Sequence, residues 1–237
     1  MRASYRPSTT STAGATLTHM CASYGLDPRF TTKEYSAFAD EQLLEQLRAW
    51  AKGNAGETLL PTGRIKKNLN PIMRDSSTLE LAWWGYLVDG RPSKFPSINS
   101  RSETLETRFK ARPLPARAIV PASHWRERQK PSKQWFDLAL PGDELLGMAA
   151  VLQRGRAEDG TEYTCYSLVM QEAASHISDV HDRMPVLVPP DFAGEWLTST
   201  ESAVELIDAA RAAAFPLAER VVARPQGSTS AAAPALF

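Results

Sequence analysis

The chain is poor in cysteine: Cys21 and Cys165 are the two in 237 residues. Two cannot build the disulfide framework of a small secreted protein, and a reducing, cytoplasmic setting is expected. No apolar run reaches the roughly 20 residues that span a bilayer, so no membrane partner is expected. Lys plus Arg and Asp plus Glu both number 27, and the formal net charge is zero. Bulk charge therefore does not argue for a polyanionic partner. The sequence has no GxGxxG, Walker loop, HExxH or GxSxG. Four scattered histidines (His19, His124, His176, His181) and two cysteines give no zinc spacing, and no metal or cofactor is expected. What is present is 43% apolar and 23% charged residues, the profile of a soluble globular protein with room for one fair-sized core.

Organisation follows from periodicity and punctuation. Residues 1–19 are rich in Ser, Thr and Ala, have no continuous apolar stretch, and read as a disordered leader, not a secretory signal. Asp40 to Lys52 reads as a helix: Leu43, Leu44, Leu47, Trp50 and Ala51 recur at three- and four-residue steps, with Asp40 as N-cap and Gly53 as stop. A loop containing Pro61, Gly63 and Pro71 follows. Residues 79–88, 116–122, 145–153, 162–170 and 184–189 read as short strands, and 91–103 as loop. Residues 191–197 and 200–214 read as helices, capped by Asp191 and by Ser199 or Thr200. Residues 226–237 read as a disordered tail. Strands in succession with helices near the ends predict an α+β single domain over 20–225.

The charge that matters is local. Arg101, Arg108, Lys110, Arg112, Arg117, Arg126, Arg128, Lys130 and Lys133 fall in a window with three acids, Glu103, Glu106 and Glu127. Arg64, Lys66 and Lys67 precede it. Such a window is either an anion footprint or a solvated basic face balanced by acids elsewhere. Three loop-associated clusters set polar groups beside strand candidates: "INSRSET" (98–104), "PASHWRE" (121–127) and "VHDRMPVLV" (180–188). Singly, each has an ordinary structural explanation, such as an Asx-turn at Asn99 or a backbone-bonded loop histidine at His181.

In order along the chain, Met20-Cys21, Trp84-Gly85, Asn99 to Thr104, Val120 to Glu127, Thr164-Cys165 and His181 to Pro185 resemble the motifs of the SRAP family, the SOS response-associated peptidases or abasic site processing proteins. The resemblance covers about residues 20–225. It implies a mixed, largely antiparallel barrel-like β core with flanking helices, a monomer, and a cytoplasmic place, at the nucleoid in a bacterium. It also implies loss of the initiator Met, so that Cys21 becomes the first residue. An N-terminal cysteine is a 1,2-aminothiol: its amine, with a reference pKa of about 7.7–8.0, condenses with an aldehyde, and its thiol closes a thiazolidine. The aldehyde implied is C1′ of a ring-opened abasic sugar in single-stranded DNA, captured as a covalent crosslink in the DNA damage response. Lyase and autopeptidase activity are implied beside it.

The resemblance also assigns roles. Cys21 supplies amine and thiol, and Glu127 is the general acid/base beside them. His181 helps open the sugar and protonates the leaving oxygen, and Asn99 orients nucleophile and sugar. Arg101 clamps a phosphate, with Arg108 a weaker candidate for the same task. Trp84 stands either as a platform for a base or as a core tryptophan beside Trp83. Cys165 reads as packing. Three departures are visible: Ser23 replaces the family's early Arg, Met170 replaces a Thr eleven residues before the histidine, and Ala150-Val151-Leu152 replaces Gly-Leu-Trp. Residues 1–19 are either an upstream-start extension or a segment that is made and removed, the latter opening a self-cleaving peptidase reading at Met20-Cys21. A non-covalent binder of single-stranded or modified DNA is the third alternative.

Overall fold

The computed structural model describes residues 23–33, 35–54, 57–59, 69–88, 91–92 and 97–227. The leader, Met20, Cys21, the Arg64–Lys66–Lys67 cluster and residues 228–237 lie outside the described residues. The first half of the chain carries β1 (Ser23–Gly25), α1 (Glu41–Gly53), β2 (Glu57–Leu59), β3 (Leu69–Met73), β4 (Leu79–Trp84), β5 (Leu87–Val88), β6 (Arg91–Pro92), β7 (Asn99–Arg101) and α2 (Ser102–Phe109). There follow β8 (Arg117–Ala122), β9 (His124–Arg128), β10 (Trp135–Ala139), β11 (Leu146–Arg156) and β12 (Glu162–Glu172). The last elements are β13 (Arg183–Pro185), α3 (Ala193–Thr198), α4 (Ala203–Ala218) and β14 (Val222–Pro225).

Strands β11, β8, β3, β4 and β12 are neighbours in that order, and β11 pairs again with β12, so five strands close on themselves. Closure removes the open edges that a flat sheet would expose. The pairs are antiparallel except that β12 runs parallel to β4 and to β7. A second sheet, in the order β14-β10-β9-β1-β2, shares the chain corner between β8 and β9. Ser123 fixes that corner: its N–H and Oγ–H donate to the Gly25 carbonyl, and its Oγ accepts from Asp27 N–H. The expected α+β fold with a barrel-like, largely antiparallel core is the fold observed. Its interior holds Tyr24, Trp84, Trp125, Tyr166 and Trp196, all essentially inaccessible. Burying each contributes on the order of 2–3 kcal/mol by the apolar area withdrawn from water.

Local chemistry explains where the elements depart from periodicity. Asp40 caps α1 as expected, accepting from Leu43 N–H, but the helix runs through Gly53 and stops at Asn54, whose N–H and Nδ2 both reach the Trp50 carbonyl. α4 starts at Ala203, not 200. Its cap is Ser202, in a reciprocal capping box with Glu205, and the Ser-x-x-Glu spelling is the signal that outranks Ser199 and Thr200. α3 starts at Ala193 with no side-chain cap, so Asp191 does not cap it. Pro71, expected in a loop, lies in β3, which pairs with β8 only at Met73 and so has open ladder positions for a residue lacking N–H. The 79–88 strand is two strands broken at Gly85, which takes φ +89° while its N–H reaches the Tyr166 carbonyl.

Candidate active site

β9 alternates along its length, and the alternation turns Trp125 and Glu127 inward. Glu127 is 2% exposed. β1 lies against β9 with Ser23 opposite Arg126 and Tyr24 opposite Trp125. The buried carboxylate is thus one residue from the position that faces the first described residue of β1. Tyr24 holds β1 from inside: its hydroxyl bonds Tyr166 Oη at 2.5 Å and its ring meets Trp84 edge-on at 5.0 Å. Asn70 Nδ2 donates to the same Tyr166 oxygen at 2.9 Å. No sequence motif marks Tyr24, Asn70 or Tyr166, because a buried hydroxyl pair has no local pattern.

Trp84 is in this interior and not on the surface, which corrects its reading as a platform for a base. Its ring stacks on Tyr166 with centroids 6.5 Å apart, and its Nε1–H donates to the Ile98 carbonyl at 2.9 Å. That carbonyl also accepts Leu168 N–H, so both its lone pairs are engaged and the start of β7 is pinned. Asn99 is the next residue, half-buried and opposite Leu168 of β12. Trp84 therefore acts on Asn99 through backbone, as a prop.

His181 is buried in the loop before β13 and accepts Arg183 N–H at Nδ1, 3.0 Å away. Asp182 Oδ1 also lies 3.1 Å from Nδ1. The two contacts demand opposite protonation, since Arg183 N–H needs a lone pair there and Asp182 needs a proton. Burial decides: it lowers the imidazole below its ordinary range and outweighs the solvated Asp182 carboxylate, with the Lys130 charge adding to the lowering. The ring is neutral, with its proton on Nε2 and Nδ1 closed by backbone.

β12 gathers these pieces at one end. Asn99 faces its Leu168, Arg101 its Met170 and Arg183 its Glu172. Arg183 pairs with Glu103 of α2 at 2.6 Å. Burial pushes the Glu103 carboxyl up, but the Arg183 hydrogen bond and the Arg183 and Arg211 charges hold it below the usual range. Gln129 Nε2, two residues beyond Glu127, donates to the Asp179 carbonyl at 3.1 Å and ties the end of β9 to the His181 loop. Arg101 is exposed at the N-cap of α2, and exposed Arg108 lies over the Phe109 ring. Cys165 is buried in mid-β12, in line with its reading as packing. Cys21 itself is outside the described residues.

The basic window divides. Arg117 is 8% exposed, and its guanidinium donates to the carbonyls of Leu114, Pro115, Trp196, Leu197 and Ser199, closing the C-terminal end of α3. Arg126 pairs with Asp137, and Arg128 donates to the Lys133 carbonyl beside the Trp135 ring. These are structural cations, and the exposed remainder is Arg101, Arg108, Lys110 and Arg112 of α2 and its exit, with Lys130 and Lys133 after β9.

Comparison with known proteins gives the arrangement a context. The chain is 32% identical over 146 residues to abasic site processing protein YedK of Escherichia coli (strain K12), an alignment covering 58% of this chain and 63% of that protein. It is 27% identical over 142 residues to abasic site processing protein YoaM of Bacillus subtilis (strain 168), covering 55% of this chain and 62% of that one. These alignments span less than two thirds of either relative. A solved structure from Bordetella bronchiseptica shares the fold at a TM-score of 0.57 and 19% identity, over 86% of this chain and 99% of that one. A phage-related protein from the same organism does so at 0.51 and 24%, over 86% and 93%. The family model described as SOS response associated peptidase (SRAP) matches residues 17–223, and the chain belongs to that family.

Proposed function

We propose that this protein captures abasic sites in single-stranded DNA by covalent attachment at Cys21. The reading rests chiefly on Glu127: a carboxylate sealed in the interior, one residue from the position opposite Ser23. Two peptide units join Cys21 to Ser23, so the covalent chain holds their Cα atoms within about 7–8 Å. A carboxylate at that range serves a proton-transferring amine. The relatives named abasic site processing proteins support the same substrate.

The chemistry balances as follows. The Cys21 α-amine adds to the C1′ aldehyde of the opened sugar. Glu127 takes the ammonium proton and returns it to the departing hydroxyl, which leaves as water and gives an imine. The thiol then adds to the imine carbon, its proton passes to the nitrogen, and a thiazolidine closes. The C1′ hydroxyl proton passes through water to the ring oxygen as the sugar opens and the aldehyde forms, while His181 Nε2–H hydrogen-bonds that oxygen and Asn99 orients the sugar. Arg101 binds a flanking phosphate. β-Elimination and removal of residues ahead of Cys21 use the same groups.

The test is incubation of protein beginning at Cys21 with single-stranded abasic DNA, followed by a denaturing gel. A heat-stable adduct is expected, and Cys21→Ala leaves at most a borohydride-trappable imine. An undiminished stable adduct from that variant refutes the thiazolidine. Intact mass of protein expressed from Met1 reports whether residues 1–20 are removed.

A further inference from the structure

β4 alternates cleanly: Ala82 and Trp84 face the barrel interior, while Leu81 and Trp83 face outward. On that outer face, Trp83, Leu81, Leu69 and Tyr163 line an open groove of about 950 Å³. Leu69 and Leu81 are 39% and 41% exposed, high for large apolar side chains clustered on one sheet face. The groove is built for a flat occupant. Tyr163 lies opposite Gly155 in the β11–β12 pair, and a Cβ at 155 would stand 2.4 Å from the Tyr163 ring. The ring is thus laid down over the glycine backbone as a floor.

Charge sorts the possible occupants. Glu162 is engaged by Arg156 at 2.6 Å, and Glu80 by Arg74 at 3.4 Å and the Thr164 hydroxyl at 2.9 Å. Arg154, exposed on the groove wall, has no carboxylate partner among the described residues. Its uncompensated charge suits an anion. Position narrows the choice further. Trp83 pairs with Cys165 of β12 and Asn99 with Leu168, so the two lie about 10 Å apart along one strand, on opposite faces of its sheet. On the groove's side of β12 the Ser100 and Ser167 hydroxyls meet at 2.8 Å, linking it to β7.

We infer that this outer face is a second binding site for single-stranded DNA, in which unpaired bases stack on Trp83 and Tyr163 and Arg154 holds a phosphate, reached by a strand long enough to extend there from the exposed cations Arg101 and Arg108 of α2. Aromatic rings interleaved with free guanidinium groups bind single strands without sequence preference. The inference rests on the proposed function only in taking single-stranded DNA as the ligand.

The experiment uses the full chain and undamaged oligothymidylates of about 5 and about 15 nucleotides, with affinity read by fluorescence anisotropy. The longer strand is expected to bind more tightly. Trp83→Ala should remove most of that gain, lowering affinity for the long strand about tenfold, and Trp83→Phe, which keeps a ring, should retain it. Arg154→Ala should make the salt slope for the long strand shallower by about one. Equal affinity of Trp83→Ala and wild type for the long strand overturns the inference. So does sedimentation showing a wild-type dimer that Trp83→Ala dissociates, since the groove then holds a second copy of the chain. Because the DNA carries no abasic site, failure of covalent capture does not touch this result. Binding of both lengths with no gain from length sinks this site alone, and no binding of either sinks the proposed function with it.

Discussion

Replacing Trp84 with phenylalanine separates a support for the site from a contact to DNA. The substitution deletes the Nε1–H bond to the Ile98 carbonyl and keeps a ring between Tyr24 and Tyr166. The carbonyl is not orphaned, because Leu168 N–H still donates to it. The lost bond therefore costs about 1 kcal/mol and not the larger penalty of a stranded polar group. Removing one ring of the indole leaves roughly 35–40 Å³, which at ~24 cal/mol per Å³ adds about 1 kcal/mol. The lost transfer of the missing carbons adds about another. A total near 3 kcal/mol should appear as a lowered urea midpoint at unchanged slope. Affinity for undamaged single-stranded DNA should stay within about twofold, since Trp84 is buried. The rate of adduct formation at saturating DNA should fall, because β7 loses the bond that fixes the residue before Asn99. A tenfold loss of DNA affinity with stability unchanged would show that the indole touches a base, and the support argument would be wrong.

Tyr166→Phe should cost about 2–4 kcal/mol, because Asn70 Nδ2 loses its buried acceptor and Tyr24 a hydrogen bond; adding Asn70→Leu should recover part of the loss, and strictly additive urea midpoints would dismiss the hydrogen bond as the cause. Arg101→Ala should weaken single-strand binding and reduce the salt slope by about one, with little change in adduct rate once DNA saturates, as binding isotherms at several salt concentrations would test. For His181, the folded imidazole is held below its ordinary range while the unfolded one titrates near 6.5. The unfolded chain thus takes up a proton that the folded chain refuses, and stability present above pH 6.5 is lost as pH falls through the folded value. The slope is at most about 1.4 kcal/mol per pH unit, and His181→Asn should flatten it in urea titrations near pH 7.5 and 5.5.

Legibility in the sequence tracked how local the determining interaction is. α1 is readable because its cap, stripe and length all lie within fourteen residues, and β8, β11 and β12 because buried strands are continuous apolar runs. β1, β7 and β13 are three residues each, too short for a period, and exist only through pairing with distant strands. β3 hides behind a proline that forbids only the central, doubly paired position it does not occupy. For the candidate site, motif order singles out Asn99, Glu127 and His181, but periodicity cannot say which of Trp83 and Trp84 faces inward. The register decides that: pairing with Cys165 and Tyr166 sends adjacent tryptophans to opposite sides of β12's sheet. The Tyr24–Tyr166–Asn70 cluster joins residues 142 and 96 positions apart, beyond the reach of any window.

The division of the basic window bears on how a chain of zero net charge would meet the polyanion of the proposed function. Counting nine cations between 101 and 133 overstates the footprint, because Arg117 is consumed by five carbonyls and Arg126 by Asp137. Each would lose hydrogen bonds by turning outward, at a cost comparable to one phosphate contact, so neither is available for binding. Acids are treated the same way. Glu103 and Glu106, which would repel a phosphate beside Arg101 and Arg108, are held at 2.6 Å by Arg183 and Arg211. These pairs neutralise the local negative charge against β13 and α4, and among the described residues Arg101 and Arg108 have no carboxylate partner. An attractive field over one helix therefore needs no excess of basic residues in the chain, only an arrangement in which the acids are paired and the arginines left to the solvent.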